Sequence, residues 1–161
     1  IGLVGSEMCI RDSDTQSEDI FDYIPPQKTN QIFTPKHIVK QMVDLLEQEN
    51  PGCFDDPSKT FADLYMKSGL YIAEIVKRLF NSNGMKQAYP DKAKRLQHIF
   101  EKQVYGLAPT EIIYQIALHF ILGFDDGNLI RNHHLRQCDA LPLAKNGTLE
   151  SKLDAIFDSI E

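Results

Sequence analysis

The stretch that most constrains the fold runs from Lys59 to Tyr71 (KTFADLYMKSGLY). A short apolar run ends in an acid, Asp63, and a tight turn with Ser68 and Gly69 follows. Tyr71, Ile72, Ile75, Val76, Leu79 and Phe80 then recur at spacings of three and four, the period of an amphipathic helix. Strand, turn, helix is the first half of a βαβ unit, and open α/β sheets hold their ligands outside the carboxyl ends of the strands. Gly69 lets the backbone approach a ligand closely. The helix start offers N–H groups to a carboxylate or phosphate, while Asp63 is placed to receive a cation or a hydrogen-bond donor. Such a site suits a small zwitterion, for example an amino-acid end group. A strand ending in an acid before a glycine turn also occurs with no ligand at all, so this stretch leaves both readings open.

The rest of the chain repeats the pattern. Thr34 and Pro35 suit the N-cap and first position of a helix carrying Ile38, Val39, Met42, Val43, Leu45 and Leu46. Pro51-Gly52 and Asp55-Asp56-Pro57 break the chain before the first strand. Asn81 to Gly84 reads as a turn and Asp91 to Lys102 as a second helix in the crossover. Gln103 to Ala108 reads as the second strand. Pro109 and Thr110 open a nearly buried helix bearing Ile112, Ile113, Ile116, Ala117, Phe120 and Ile121. Asp125 to Asn128 reads as a turn, and Leu135 to Ala140 as a third strand, again ending in an acid, Asp139. Leu141-Pro142-Leu143 leads away, Asn146-Gly147 turns, and a helical pattern (Leu149, Leu153, Ile156, Phe157) closes the sequence. Right-handed crossovers make this an α/β chain, part of a doubly wound parallel sheet with helices on both faces. The strand tips bearing Asp63, Ala108 and Asp139 should line one crevice. Neither GxGxxG nor GxxxxGK[ST] occurs, which disfavours a dinucleotide or a nucleoside triphosphate.

Charge and cysteines narrow the classes further. The net charge of −6 is concentrated at the start, where residues 1–30 carry six acids and two bases. The remainder is close to neutral and argues neither for nor against nucleic acid. Lys86, Lys92, Lys94 and Arg95 read as a solvated basic helix face. The three cysteines, Cys9, Cys53 and Cys138, have no metal-ligand spacing and fit a reducing cytoplasm. His133-His134 reads as a loop pair rather than a metal site. No apolar run approaches the ~20 residues of a membrane span, so no membrane partner is expected. Residues 1–13 (IGLVGSEMCIRDS) resemble a translated sequencing adapter. Residues 14–29 read as a flexible lead-in, and residues 30–161 as a partial domain.

Four segments in order resemble the S-adenosylmethionine-binding half of the N6-adenine DNA methyltransferases of restriction–modification systems. Gln31-Ile32-Phe33-Thr34-Pro35 is similar to the family's upstream Phe-Thr-Pro motif. Asp63 to Tyr71 is similar to its Asp-Pro-x-x-Gly-Ser-Gly-x-Tyr loop, Val104-Tyr105-Gly106-Leu107 to its second strand, and Asp139-Ala140-Leu141 to its third-strand motif. The resemblance spans about residues 30–157 and implies a Rossmann-like class I methyltransferase fold with S-adenosylmethionine as cofactor. It also implies a cofactor set of Phe33, Thr34, Pro35, Asp63, Tyr65, Lys67, Ser68, Gly69, Tyr71, Asp139 and Ala140. Phe33, Thr34 and Pro35 would close over the methionine end, Asp63 and Gly69 would shape its pocket, and Asp139 would meet the adenine ring.

Three residues depart from the pattern. Leu64 replaces the usual Pro and Lys67 the first Gly, bringing a long cation to the turn. Lys67 could bind the cofactor carboxylate, obstruct it, or oppose the sulfonium charge. Ala108 replaces the acid that holds the ribose; Glu111, one turn on, either substitutes or simply favours the helix dipole. The catalytic (Asn/Asp)-Pro-Pro-(Tyr/Phe) motif, which holds a flipped adenine, is absent, since Pro25-Pro26 lies between Ile24 and Gln27. The expectation is a cofactor-binding portion cut before its catalytic strand, inactive alone. Double-stranded DNA, and restriction or specificity subunits, would be met through other parts of a longer protein. The rival expectation is a degenerate, non-catalytic module for assembly or DNA positioning.

Overall fold

β1 (Phe61–Asp63), β2 (Val104–Ala108) and β3 (His134–Gln137) form a parallel sheet in the order β1-β2-β3 in the computed structural model. The structure describes residues 34–123, 130 and 132–158. The adapter-like start, the lead-in, Phe33 and the turn read at Asp125 to Asn128 lie outside the described residues. Phe61 pairs with Val104 and Asp63 with Gly106; Tyr105 pairs with His134 and Ala108 with Gln137. β2 is central and mostly buried, as its apolar sequence requires of a parallel strand covered on both faces.

Alternation along β2 separates two cores. Val104 and Ala108 join a large cluster built with α1 (Lys36–Glu49), α2 (Leu70–Asn81) and α5 (Glu111–Leu122), among them Val39, Ile72, Val76, Leu79, Ala117 and Ile121. Leu107, with Tyr105 at its edge, joins a smaller cluster with Ala140 and Phe157. That second cluster belongs to α6 (Ala140–Lys145) and α7 (Leu149–Asp158). Helices therefore cover both faces, and the α/β architecture read from the sequence is present.

Several local expectations are corrected. α1 begins at Lys36 with Pro35 at the cap position and no side-chain cap bond. The Pro35 carbonyl instead accepts the N–H groups of Ile38 (3.0 Å) and Val39 (3.1 Å). The turn read at Asn81 to Gly84 opens a further helix, α3 (Asn83–Ala88), because the Ser82 hydroxyl accepts the Met85 N–H at 3.2 Å and caps it. The helix read over Asp91 to Lys102 is α4 (Lys92–His98) followed by a wide π turn, Ile99–Gln103. The buried Gln103 amide donates to the carbonyls of Asp56 (3.2 Å) and Lys59 (3.0 Å), tying this turn to the loop before β1.

Arg95 does not belong to a solvated basic face. It is 5% exposed and lies 4.9 Å over the Phe80 ring. Its guanidinium donates to the carbonyls of Tyr89, Phe80 and Pro90, so the cation closes the α2–α4 connection from inside. α5 is less enclosed than its composition suggests, since Ile112 is 62% exposed. β3 stops at Gln137, and Asp139 is not its last residue but the cap of α6. Pro142 lies in the first turn of that helix, where its missing N–H costs nothing, so the segment read as leading away is helical.

Candidate functional site

The carboxyl end of β1 carries the candidate site. β1 delivers Asp63, the loop Leu64 to Gly69 turns the chain over the edge of the sheet, and α2 begins at Leu70. The loop is anchored from below: Met66 is fully buried and its N–H donates to the Leu107 carbonyl at 2.7 Å. Gly69 ends the loop at φ +79°, a left-handed conformation that side-chain-bearing residues rarely adopt. A Cβ there would stand 2.9 Å from Ile121 Cδ1 and 3.3 Å from Ala117 Cβ. The missing side chain of Gly69 thus lets the start of α2 pack on α5, while Gly69 also lines the cavity described next.

A cavity of about 130 Å³ opens here, lined by Thr34, Val39, Asp63, Tyr65, Lys67, Ser68, Gly69, Leu70 and Tyr71. The expected residues Thr34, Asp63, Tyr65, Lys67, Ser68, Gly69 and Tyr71 are brought together by the structure. Pro35 caps α1 beside them without lining the cavity, and Phe33 lies outside the described residues. Asp139 and Ala140 are elsewhere. Asp139 is exposed and its Oδ1 accepts the Leu141 N–H at 3.0 Å, whereas Ala140 is buried against α7. Ala108 is buried at the β2 tip, and Glu111 is exposed and accepts from Gln115 of its own helix at 2.8 Å.

The cavity is polar on one side. Burial pushes the Asp63 carboxyl above the usual carboxylate range, with the Tyr65 N–H, donating at 3.1 Å, partly offsetting this. A carboxylate that has lost water gains from an incoming ammonium group. Opposite in character is the start of α2. Its first intrahelical backbone bond runs from the Ala73 N–H to the Gly69 carbonyl, so the N–H groups of Leu70, Tyr71 and Ile72 have no carbonyl within their own helix. The Ser68 hydroxyl offers Leu70 only a long 3.5 Å contact. Lys67 adds a formal positive charge to the lining.

Sequence reasoning missed the α1 wall. Val39 is a core position of an amphipathic helix and gives no separate signal of a site. Arg78 of α2 holds that wall in place: its guanidinium meets Asp44 and Glu47 of α1 and Glu74 of α2. The Tyr71 hydroxyl also meets Met42 Sδ at 2.7 Å.

Larger hollows of about 410 and 500 Å³ lie beside Cys53 and Phe61 and along α4. They are away from the carboxyl edge, where an open α/β sheet places its ligands. Among the described residues no cluster of His, Cys, Asp and Glu could hold a metal ion, and no helix is long and apolar enough to cross a membrane.

No family model matches the chain. Over 98 residues it is 24% identical to a Mycoplasma pneumoniae (strain ATCC 29342 / M129 / Subtype 1) protein named "Uncharacterized adenine-specific methylase". The matched stretch covers 61% of this chain and 23% of that protein's length, so the chain is similar to a part of an adenine-specific methylase by name.

Proposed function

We propose that the chain is the cofactor-binding portion of an S-adenosylmethionine-dependent adenine-N6 DNA methyltransferase of a restriction–modification system. The observation that carries this reading is the cavity at the β1 tip. It joins a desolvated acid, a lysine and helix N–H groups that have no carbonyl within their own helix in about 130 Å³. A whole ligand pocket is typically about 300–1,000 Å³, so this cavity fits an amino-acid end and not a nucleoside. The methionine end would place its ammonium at Asp63 and its carboxylate at the N–H groups of α2. The nucleoside would lie along the open carboxyl edge, where Tyr65, Ile112 and Leu141, which come after β1, β2 and β3, are exposed apolar side chains able to cover a flat ring.

The fold supports a Rossmann-like assignment. α2 and α5, which follow β1 and β2, pack in the same core, while α6 and α7, which follow β3, pack in the core across the sheet. With right-handed crossovers, that change of face turns the chain back toward β1. Such a reversal creates the crevice in which doubly wound sheets hold ligands. The similarity to a protein named as an adenine-specific methylase supports adenine as acceptor.

When bound, S-adenosylmethionine supplies an electrophilic methyl group. The residues of this chain contribute by positioning: Asp63 and α2 fix the amino-acid end, and the α1 wall with Thr34 and Val39 closes over it. The tetrapeptide that would present the adenine amino group is absent from the 161 residues, so the chain is proposed to bind cofactor without transferring methyl. DNA and any restriction or specificity subunits would be engaged by other parts of a longer protein.

Calorimetric titration of the chain with S-adenosylmethionine tests this. Micromolar binding, lost in Asp63→Ala, is expected. A folded chain that does not bind would favour a degenerate module for assembly or DNA positioning, a reading to which Lys67 and Ala108 lend support.

A further inference from the structure

Lys67 lines the cavity at the β1 tip together with Asp63. Among the described residues that line the cavity, Asp63 and Lys67 carry the formal charges. Their roles divide by sign. Asp63 sits at the end of β1, with Oδ1 turned to the Tyr65 N–H, and suits an ammonium. The α2 N–H groups lie just beyond Lys67, after Ser68 and Gly69, and suit a carboxylate.

We infer that Lys67 shares the ligand's α-carboxylate with the start of α2 and thereby sets the selectivity of the site, favouring a neutral thioether over a sulfonium ligand. The inference rests on the reading that an S-adenosyl ligand places its amino-acid end in this cavity. The physical reason is short range. In a homocysteine-type end group the sulfur stands only a few bonds from the carboxylate. A lysine on that carboxylate therefore lies roughly 7 Å from the sulfur, and like charges at that distance in a partly solvated site change affinity about three- to ten-fold. The carboxylate gains from Lys67 in both ligands, and the sulfonium alone is opposed by it. The contribution of Lys67 therefore tilts the site toward S-adenosylhomocysteine, the demethylated form, relative to the methyl donor.

The test titrates the 161-residue chain and its Lys67→Met variant with S-adenosylmethionine, S-adenosylhomocysteine and 5′-methylthioadenosine, which lacks the amino-acid end. Methionine keeps the length of the side chain and removes its charge. Both S-adenosyl ligands are expected to bind Lys67→Met more weakly. The preference for the thioether over the sulfonium should fall three- to ten-fold, while 5′-methylthioadenosine is unchanged. A merely structural lysine would move all three ligands together, and that result would overturn the inference. An unchanged ratio of the two S-adenosyl affinities would overturn it as well, leaving the cofactor reading standing. Failure of both S-adenosyl ligands to bind a chain shown folded by circular dichroism would overturn the cofactor reading itself, and the role of Lys67 with it.

Discussion

Asp63 ends β1 and Asp139 follows β3 by two residues, on the two strands that flank β2, and in the sequence both look like acids closing a strand. Asp63 is half-buried in a cavity wall, and burial raises its pKa. Asp139 is exposed and commits its carboxylate to the first turn of the six-residue α6. The difference comes from the helix that each strand leads into. After β1 the chain enters a twelve-residue helix whose first turn is braced on α5 through Gly69 and walled by α1. After β3 it enters a short surface helix that anchors itself through Ala140. What sets the candidate site at β1 apart is therefore a buried brace as well as an acid.

The brace is the place where that contrast breaks most easily. Gly69→Ala combines left-handed strain of about 1–2 kcal/mol with displacement of Ile121, costing about 1 kcal/mol more. Chemical denaturation should show a loss of about 2–3 kcal/mol, with ligand binding lost as well. A loss under about 1 kcal/mol would mean that the start of α2 is not braced as described.

The α1 wall comes next. Arg78→Met removes the guanidinium shared by Asp44, Glu47 and Glu74 and leaves three carboxylates near one another. Exposed pairs are individually weak, but the Arg78 side chain is only 18% exposed and serves three partners. A destabilisation of about 1–2 kcal/mol is expected, shrinking as salt screens the residual repulsion. Affinity for the proposed cofactor should fall too, because Thr34 and Val39 line the cavity from the α1 side. A variant that melts earlier yet binds unchanged would separate the wall from the site.

These elements are unequally legible in the sequence. β1, β2, α2 and α5 are readable because apolar runs and three-to-four spacing report burial directly, and the loop Asp63 to Tyr71 is readable as the candidate site because it joins β1 to α2. The end of β3 is misleading. Leu135 to Ala140 looks extended, and only the Asp139 cap and a proline tolerated in a first helical turn reveal α6. α3 is hidden in Asn81 to Gly84, whose composition suits a turn and a Ser-capped helix start equally. Arg95 and Arg78 are invisible as structural cations, since a charge on a helix carries no mark of whether carbonyls or carboxylates will surround it.

Asp63 itself sharpens the comparison through pH. Its folded pKa is raised, so its ionised form is disfavoured in the folded chain. The penalty is fully present above the raised value and disappears as pH falls toward the ordinary value of 3.8. Asp63→Asn should therefore stabilise the chain at neutral pH by about 1 kcal/mol or less, while weakening cofactor binding at least tenfold. In the unsubstituted chain, binding should decline as pH falls through the raised pKa, because the ammonium of the ligand needs the carboxylate. Calorimetry and thermal melts between neutral and acidic pH check both signs. A less stable Asp63→Asn would identify Asp63 as a structural acid.

Asp139 gives the smallest effect on stability. Loss of an N-cap costs typically about 1 kcal/mol, but α6 is short and exposed, so local fraying absorbs part of it and about 0.5 kcal/mol should reach the global transition in Asp139→Ala. The binding readout carries more information. If the acid meets the adenine ring as the resemblance implies, S-adenosylmethionine affinity should fall several-fold. Free methionine, which needs only the β1 cavity, should bind Asp139→Ala as it binds the unsubstituted chain. A carboxylate that serves only as a helix cap would leave both ligands unaffected. The cavity at β1 would then be the whole of the polar recognition, and the contrast between the two strand tips would be complete.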